Sequence, residues 1–216
     1  FTIDPDTGFE GVVVIEAAYG LGELVVQGDV NPDEYTVFQP TGGILEKVCG
    51  DKERRMVLRN GVNTVEAVPQ QERDEYVLSD EQIRELAGYA ARIEEHYGRP
   101  MDIEWVFDGQ RNEVFIVQAR PETVHAQGAA NVITDYTLEE DGDVLAEGVG
   151  IGNRIGSGDV TVLDSPAEMD RFEDGDVLVT ERTDPDWEPV MKKASAIVTE
   201  KGGKTAHAAI VSRELG

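Results

Sequence analysis

The chain has 216 residues, enough for one or two domains with a buried core. Its 44 acidic residues oppose 19 basic ones, for a formal net charge of −25. Because nucleic acids and anionic membranes attract positive charge, this balance argues against either as a partner. The acidic residues are spread along a chain that is 40% hydrophobic, so we expect a folded protein, from a halophilic source or an ordinary cytoplasmic one. The single Cys49 excludes an internal disulfide framework.

The first half of the chain predicts short strands followed by one long helix. Glycine, asparagine and proline break residues 1–68 into short β-branched runs, which is typical of strands joined by turns; one such strand is predicted at residues 23–27. Ser79 and Gln82 then form a capping box, and apolar side chains recur at helical spacing. We therefore expect a helix over residues 79–97.

Shorter elements are predicted in the rest of the chain. Strands at residues 101–107 and 113–119 flank a turn-forming segment and predict a hairpin. The small-residue stretch at 127–131 is typical of a linker. Further strands are predicted near residues 144–149, 160–163, 176–180 and 196–199, and helices at residues 166–172 and 205–215.

Polar side chains line one face of the predicted hairpin. Because side chains alternate across a strand, Glu104 is expected opposite Gln118. In the same way, Asp102 is expected opposite Arg120. Carboxylate and amide oxygens hold Mg²⁺ and a guanidinium binds phosphate, so this face has the parts of a magnesium–nucleotide site. A solvated face with cross-strand ion pairs is the alternative. The other face is predicted to be apolar and to pack on a core, through Ile103, Trp105, Phe107, Phe115, Val117 and Ala119.

A double-glycine turn precedes a histidine in the segment TEKGGKTAH. Gly202 and Gly203 lie before a predicted helix start, where backbone N–H groups can surround a phosphate. His207 falls in the first helical turn, and a neutral imidazole is a competent nucleophile toward phosphorus. Lys204 and Thr205 would add a charge and a hydroxyl donor. A capping or core histidine is the structural alternative.

Two further segments allow either a functional or a structural interpretation. Residues 20–23 (GLGE) follow an apolar strand and could bring backbone near phosphates, with Glu23 as a metal or ribose contact. A hairpin turn explains the same glycines. Residues 184–189 (DPDWEP) suit a docking loop, or a rigid turn before a helix.

Residues 199–216 resemble the phosphohistidine signature of the phosphoenolpyruvate-utilising enzymes. The resemblance covers essentially the whole chain, and its motifs are highly specific when taken together. The other matching segments are residues 20–28 (GLGELVVQG), 31–34 (NPDE), 96–105 (HYGRPMDIEW), 115–123 (FIVQARPET) and 183–199 (TDPDWEPVMKKASAIVT).

The resemblance implies two regions with a mixed α+β or α/β fold. Residues 1–124 would be the C-terminal part of an ATP-grasp nucleotide-binding domain. Residues 125–216 would be a swivelling β/β/α phosphohistidine domain, truncated before its last strands. The implied reaction converts ATP, pyruvate and water into AMP, phosphoenolpyruvate and phosphate, with a histidine carrying the phosphoryl group to a separate pyruvate-binding barrel. A phosphate-dependent pyruvate dikinase and a non-catalytic nucleotide-binding or phosphocarrier module remain the alternatives.

The resemblance also implies roles for individual residues. The phosphoryl carrier would be His207, preceded by Ala206 where relatives usually carry Cys or Ser. The expected partners are ATP, pyruvate and phosphoenolpyruvate, and the expected cofactor is Mg²⁺. The resemblance also implies a cytoplasmic protein and allows a homodimer. Because the barrel and the N-terminal ATP-grasp lobe are not among these residues, we expect the isolated chain to lack the overall activity. The remaining roles would be Mg²⁺–ATP ligation by Glu104 and Gln118, phosphate contact by Arg120, further ATP contacts by Asp102 and Glu23, and shaping of the histidine loop by Gly202, Gly203 and Thr205.

Overall fold

The structure, a computed structural model, describes residues 1–122, 142–152, 154–204 and 206–215. Its elements form a mixed α/β arrangement in two groups, described in turn. The first group is β1 (Val12–Ala17), α1 (Glu23–Val26), β2 (Asp33–Phe38), β3 (Gly43–Val48), β4 (Arg54–Arg59), β5 (Val62–Ala67), α2 (Gln70–Arg73), α3 (Asp80–Tyr97), β6 (Met101–Asp108) and β7 (Glu113–Pro121). The second group is β8 (Val160–Val162), β9 (Val177–Thr180), α4 (Glu188–Met191), β10 (Ala196–Thr199) and α5 (His207–Leu215), with 3₁₀ turns at Pro166–Arg171 and Pro185–Trp187.

The long helix α3 forms where the sequence predicts it. Ser79 Oγ accepts the Gln82 backbone N–H, and Gln82 Oε1 accepts that of Ser79, which satisfies two N–H groups that the helix start would leave unpaired. Gly98 ends the helix in a left-handed conformation, with φ of +67°. The buried face of α3 packs on the antiparallel sheet β1-β2-β3, and the β6–β7 hairpin contributes partly buried side chains to the same core through Ile103, Trp105 and Val114.

One predicted strand is instead a helix. Residues 23–27 contain the single turn of α1, and Leu24 packs with Val30 and Met56 in a small separate cluster. The run ELVV is apolar enough for either structure, and a run this short has no periodicity that distinguishes a strand from a helix. Gly28, with φ of +73°, then turns the chain.

The second group is built on a parallel sheet in the order β10-β9-β8. Leu178 from the middle strand and Phe172 from the preceding turn are buried in its core. Trp187 is also in this core and only 4% exposed, so the DPDWEP segment is a packed turn, as the structural interpretation expects. Val211 of α5 packs on the same cluster, which fixes the helix that carries His207.

The prediction of a strand near residues 144–149 is wrong. These described residues form neither helix nor strand, and Leu145 is 93% exposed. Alternating apolar residues favour a strand only where a partner strand pairs with them. The predicted linker at 127–131 lies outside the described residues. Among the helices that the structure describes, none is long and apolar enough to cross a bilayer.

Candidate functional site

The polar face of the hairpin forms with the predicted pairing. In the antiparallel ladder between β6 and β7, Glu104 lies opposite Gln118, and Asp102 lies opposite Arg120. Directly opposite residues share a face of a sheet, so all four side chains project from one side. Asp102 is partly buried, whereas the other three residues are exposed.

A β-bulge changes the apolar face of the same hairpin. The register shifts after Glu104, so Trp105 lies opposite Ile116 rather than Val117. Phe115 consequently lies on the face of Glu104, and Val117 is 61% exposed. The prediction that Phe115 and Val117 pack on the core is therefore wrong, because strict alternation does not reveal an inserted residue.

Arg120 is held in position by Asp102. Its Nε and Nη2 both donate to Oδ2 of Asp102, at 2.9 and 2.8 Å. These hydrogen bonds, reinforced by the charge of Asp102, raise the pKa of Arg120 above its usual value. The Arg120 side chain is still 54% exposed, so an anion can approach the guanidinium from solvent.

The Glu104–Gln118 pair suits a magnesium ion by its donor chemistry. Mg²⁺ prefers oxygen ligands, keeps several waters and is usually bound by one or two protein groups together with phosphates. A carboxylate and an amide oxygen on directly opposite, exposed positions meet that description. Within the described ranges, no group of three or more His, Cys, Asp or Glu side chains is placed to hold a metal ion.

His207 begins helix α5 and contacts a buried threonine. Oγ1 of Thr183 lies 3.0 Å from Nδ1 of His207. Thr183 is 5% exposed and precedes the packed turn that contains Trp187, so the threonine is fixed by the core. Sequence reasoning missed Thr183, although it is the first residue of a segment that the resemblance singles out.

The glycines of the histidine loop allow close contact with the first group of elements. The backbone N–H of Gly202, whose φ is +124°, donates to Oδ1 of Asn31 at 2.9 Å. A Cβ at position 203 would lie 2.6 Å from Oε1 of Glu16 and 3.0 Å from Cδ of Pro32. Side chains at Gly202 and Gly203 are therefore excluded by conformation at one position and by space at the other.

Charged contacts continue this interface on both sides of the loop. Nζ of Lys204 lies 2.8 Å from Oε1 of Glu34 and 3.2 Å from Oδ2 of Asp6. Nη2 of Arg213, on α5, lies 2.8 Å from Oδ1 of Asp6. Burial alone would raise the pKa of Asp6, but the charge and hydrogen bonds of Arg213, with smaller contributions from Gly152 and Lys204, together lower that pKa. One carboxylate thus holds both the loop and the helix.

A cleft of about 280 Å³ connects the hairpin to α5. Asp102 and Arg120 line one side of it, and Ile210 and Glu214 line the other. His207, Ile210 and Glu214 lie three and four residues apart, which places them on one stripe of the helix. The arrangement brings Arg120 to the side of the helix that His207 begins.

Glu23 lies apart from the hairpin pair. It is the first residue of α1, where Oε1 accepts a hydrogen bond from Nε2 of Gln27 at 3.1 Å. The end of the same segment approaches the histidine loop, because a Cβ at Gly28 would lie 3.1 Å from Cβ of Ala206. Thr205 lies outside the described residues.

Two family models match the chain. Residues 1–140 match the pyruvate phosphate dikinase, AMP/ATP-binding domain, and residues 172–216 match the PEP-utilising enzyme, mobile domain. The chain therefore belongs to the pyruvate phosphate dikinase AMP/ATP-binding family and also carries a match to the mobile domain.

Individual relatives share one name. The chain is 54% identical over 226 residues to phosphoenolpyruvate synthase of Escherichia coli (strain K12), covering 100% of the chain and 28% of the relative. It is 50% identical over 234 residues to phosphoenolpyruvate synthase of Aquifex aeolicus (strain VF5), covering 100% of the chain and 27% of that relative. The Synechocystis phosphoenolpyruvate synthase is 52% identical over 231 residues, covering 100% of the chain and 28% of that relative. The chain thus spans less than a third of these relatives.

Proposed function

We propose that this chain is the ATP-binding and phosphohistidine part of an enzyme that converts ATP, pyruvate and water into AMP, phosphoenolpyruvate and phosphate. The observation that carries the proposal is the placement of His207 at the start of α5, in contact with Thr183 and one helical turn before Ile210, which lines a cleft together with Arg120. The shared name of the relatives supports the same reaction. In this proposal residues 1–124 are the C-terminal part of an ATP-grasp domain and residues 125–216 the swivelling phosphohistidine domain.

The first half-reaction uses the imidazole of His207 as nucleophile. The Thr183 hydroxyl engages Nδ1, so Nε2 is the nitrogen that reacts. A bond forms between Nε2 and the β-phosphorus of ATP, and the bond from that phosphorus to the α,β-bridging oxygen breaks, which leaves AMP. Water then cleaves the link to the γ-phosphorus and releases phosphate. In the second half-reaction the remaining phosphoryl group passes to the enolate oxygen of pyruvate.

The hairpin face would bind the triphosphate. Arg120, held in position by Asp102, would contact phosphate oxygens. Glu104 and Gln118 would hold Mg²⁺, which when bound would neutralise and orient the phosphates. The start of α5, a nine-residue helix, adds backbone N–H groups and the positive end of its dipole near the phosphoryl group on His207. Glu23 stays a candidate ATP contact that approaches from α1.

The pyruvate half-reaction is proposed to need regions of the relatives that this chain does not span. We therefore expect these 216 residues alone not to turn over pyruvate, although they carry the histidine. A second candidate is a phosphocarrier module that serves a separate catalytic protein, which the match to the mobile domain also allows. Multiple turnover of pyruvate by the isolated chain would reject both proposals.

Phosphoryl labelling tests the main proposal. The full-length polypeptide that contains this chain is incubated with ³²P-labelled phosphoenolpyruvate and Mg²⁺, then split into acid-treated and base-treated samples. We expect label that is lost in acid, survives in base and is absent from the His207→Ala variant. The matched control is His96→Ala, an exposed histidine in the last turn of α3, which should keep the label. Label that persists in His207→Ala would overturn the assignment of the carrier.

A further inference from the structure

We propose that residues 31–34 (NPDE), here called the receptor segment, position the histidine loop for the ATP half-reaction and play no part in the pyruvate half-reaction. This inference rests on the proposed function. The receptor segment lies between α1 and the interior of β2, so it belongs to the ATP-binding group of elements. The loop it contacts belongs to the other group.

The receptor segment meets the loop residue by residue. Asn31 Oδ1 accepts the backbone N–H of Gly202 at 2.9 Å. The ring of Pro32 lies against Gly203, where a Cβ would come within 3.0 Å of Cδ. In the third contact, Nζ of Lys204 donates to Oε1 of Glu34 at 2.8 Å. Three successive loop positions thus contact three positions of the receptor segment.

The third contact is a shielded ion pair. The side chains of Lys204 and Glu34 are only 14% and 15% exposed. Burial alone would lower the pKa of Lys204, but its hydrogen bond to Glu34 and the charges of Glu34 and Asp6 raise it. Because water is largely excluded, the attraction between the two charges is greater than in an exposed pair, and removing either partner leaves an uncompensated charge.

The remaining residue of the receptor segment, Asp33, anchors the segment itself. Asp33 is fully buried and accepts hydrogen bonds from the backbone N–H groups of Gly50, at 2.8 Å, and Val77, at 2.7 Å. It also accepts from the hydroxyl of Tyr35, at 3.0 Å, and pairs with the ammonium group of Lys52. A side chain with this many fixed partners holds its backbone in place. The receptor positions that face the loop are therefore pre-organised.

This complementarity gives Gly203 a second reason to be glycine. A side chain there would meet Pro32 and push the loop off the receptor segment, whatever its effect on phosphate binding. At Gly202 an added Cβ would instead meet Cβ of Ala206 in the loop itself, at 2.9 Å. The loop must leave the receptor segment when His207 delivers its phosphoryl group to pyruvate elsewhere. Damage to the receptor should therefore slow transfer from ATP and spare transfer from phosphoenolpyruvate.

The experiment compares the two half-reactions in the full-length polypeptide that contains this chain. Phosphorylation of His207 is timed with [β-³²P]ATP and, separately, with ³²P-labelled phosphoenolpyruvate. The variants are Asn31→Leu, which loses the acceptor, Asn31→Asp, which keeps an oxygen there, and Glu34→Gln. Glu46→Gln, an exposed carboxylate on β3 in the same sheet, is the matched control.

We expect labelling from ATP to slow about tenfold or more in Asn31→Leu and Glu34→Gln, as for the loss of a buried hydrogen bond or ion pair. Labelling from phosphoenolpyruvate should stay within about twofold, and Asn31→Asp should recover most of the ATP rate. Equal loss from both donors, or no loss from ATP, would overturn the proposal. If Asn31→Leu does not fold, the labelling rates of Glu34→Gln from ATP and from phosphoenolpyruvate test the proposal by the same criteria. Failure of the unaltered protein to take label from either donor would instead reject the proposed function.

Discussion

Oγ1 of Thr183 lies 3.0 Å from Nδ1 of His207, across 24 residues of chain. The threonine is buried in the second group of elements, whereas the histidine is only partly buried at a helix start. A fixed hydroxyl at Nδ1 sets the orientation of the imidazole ring. It also leaves Nε2 as the ring nitrogen that is free to react in the proposed mechanism.

Replacing Thr183 by valine should slow phosphorylation of His207 about tenfold from both ATP and phosphoenolpyruvate, because valine keeps the volume but loses the hydroxyl. Thr183→Ser should recover most of the rate. Initial rates of label incorporation measure the effect. The matched control is Thr180→Val, another buried threonine of the same group, which should phosphorylate normally. A normal rate in Thr183→Val would show that the contact does not position the ring.

Replacing Arg120 by lysine should raise the KM for ATP about tenfold, because an ammonium group cannot reproduce the planar fork that binds both Asp102 and a phosphate. Labelling of His207 from phosphoenolpyruvate should be unchanged within about twofold. Steady-state kinetics of the full-length polypeptide supply the first value. Arg111→Lys, at the exposed tip of the same hairpin, is the control and should leave the KM as it is. An unchanged KM for ATP in Arg120→Lys would show that Arg120 does not contact the nucleotide.

Replacing Lys52 by methionine should reduce the free energy of unfolding by about 3 kcal/mol, because it leaves the fully buried carboxylate of Asp33 without its cation. The double variant Asp33→Asn with Lys52→Met should recover part of that loss. Urea unfolding, followed by tryptophan fluorescence, measures both. The control, Lys193→Met, breaks the exposed pair with Asp174 and should change stability little. Equal stability of Lys52→Met and the unaltered chain would contradict the prediction.

Asp6 should make the stability of the chain depend on pH in the acid range. Burial raises its pKa, but Arg213, the backbone N–H of Gly152 and Lys204 together outweigh burial and lower the pKa in the folded state from 3.8. The stabilisation is therefore fully present above the unfolded pKa and is lost as pH falls through the folded pKa. Urea unfolding across this range should show an advantage over Asp6→Asn that shrinks as pH falls below 3.8. An advantage that does not change with pH would contradict this assignment.

Local patterns were enough to predict the polar pairs of the hairpin and the helix α3. Glu104 faces Gln118 because a strand has a period of two, and Ser79 with Gln82 caps α3 within one turn. The features that escaped prediction depend on distant parts of the chain. The hydrogen bond from Gly202 to Asn31 spans 171 residues, and no local pattern at either end indicates it.

The bulge escaped for a different physical reason. Every residue from Val114 to Val117 is apolar, so the sequence offers no contrast that would mark which one is inserted into the ladder. Packing decides instead: Val114 and Trp105 reach the core, whereas Val117 is left on the surface. The same limit explains α1, a single turn whose apolar residues would also suit a strand.

The bulge at Val117 divides the hairpin into two parts, because the register of strand pairing shifts by one residue there. The pair Glu104–Gln118 belongs to the inner part, and the turn at residues 109–112 belongs to the outer part, where Arg111 is largely exposed. Extra residues in the turn can therefore be absorbed beyond the bulge without sliding the inner pair. This makes the tip a practical attachment point for a fluorescent reporter, because the bulge separates it from the pair Glu104–Gln118.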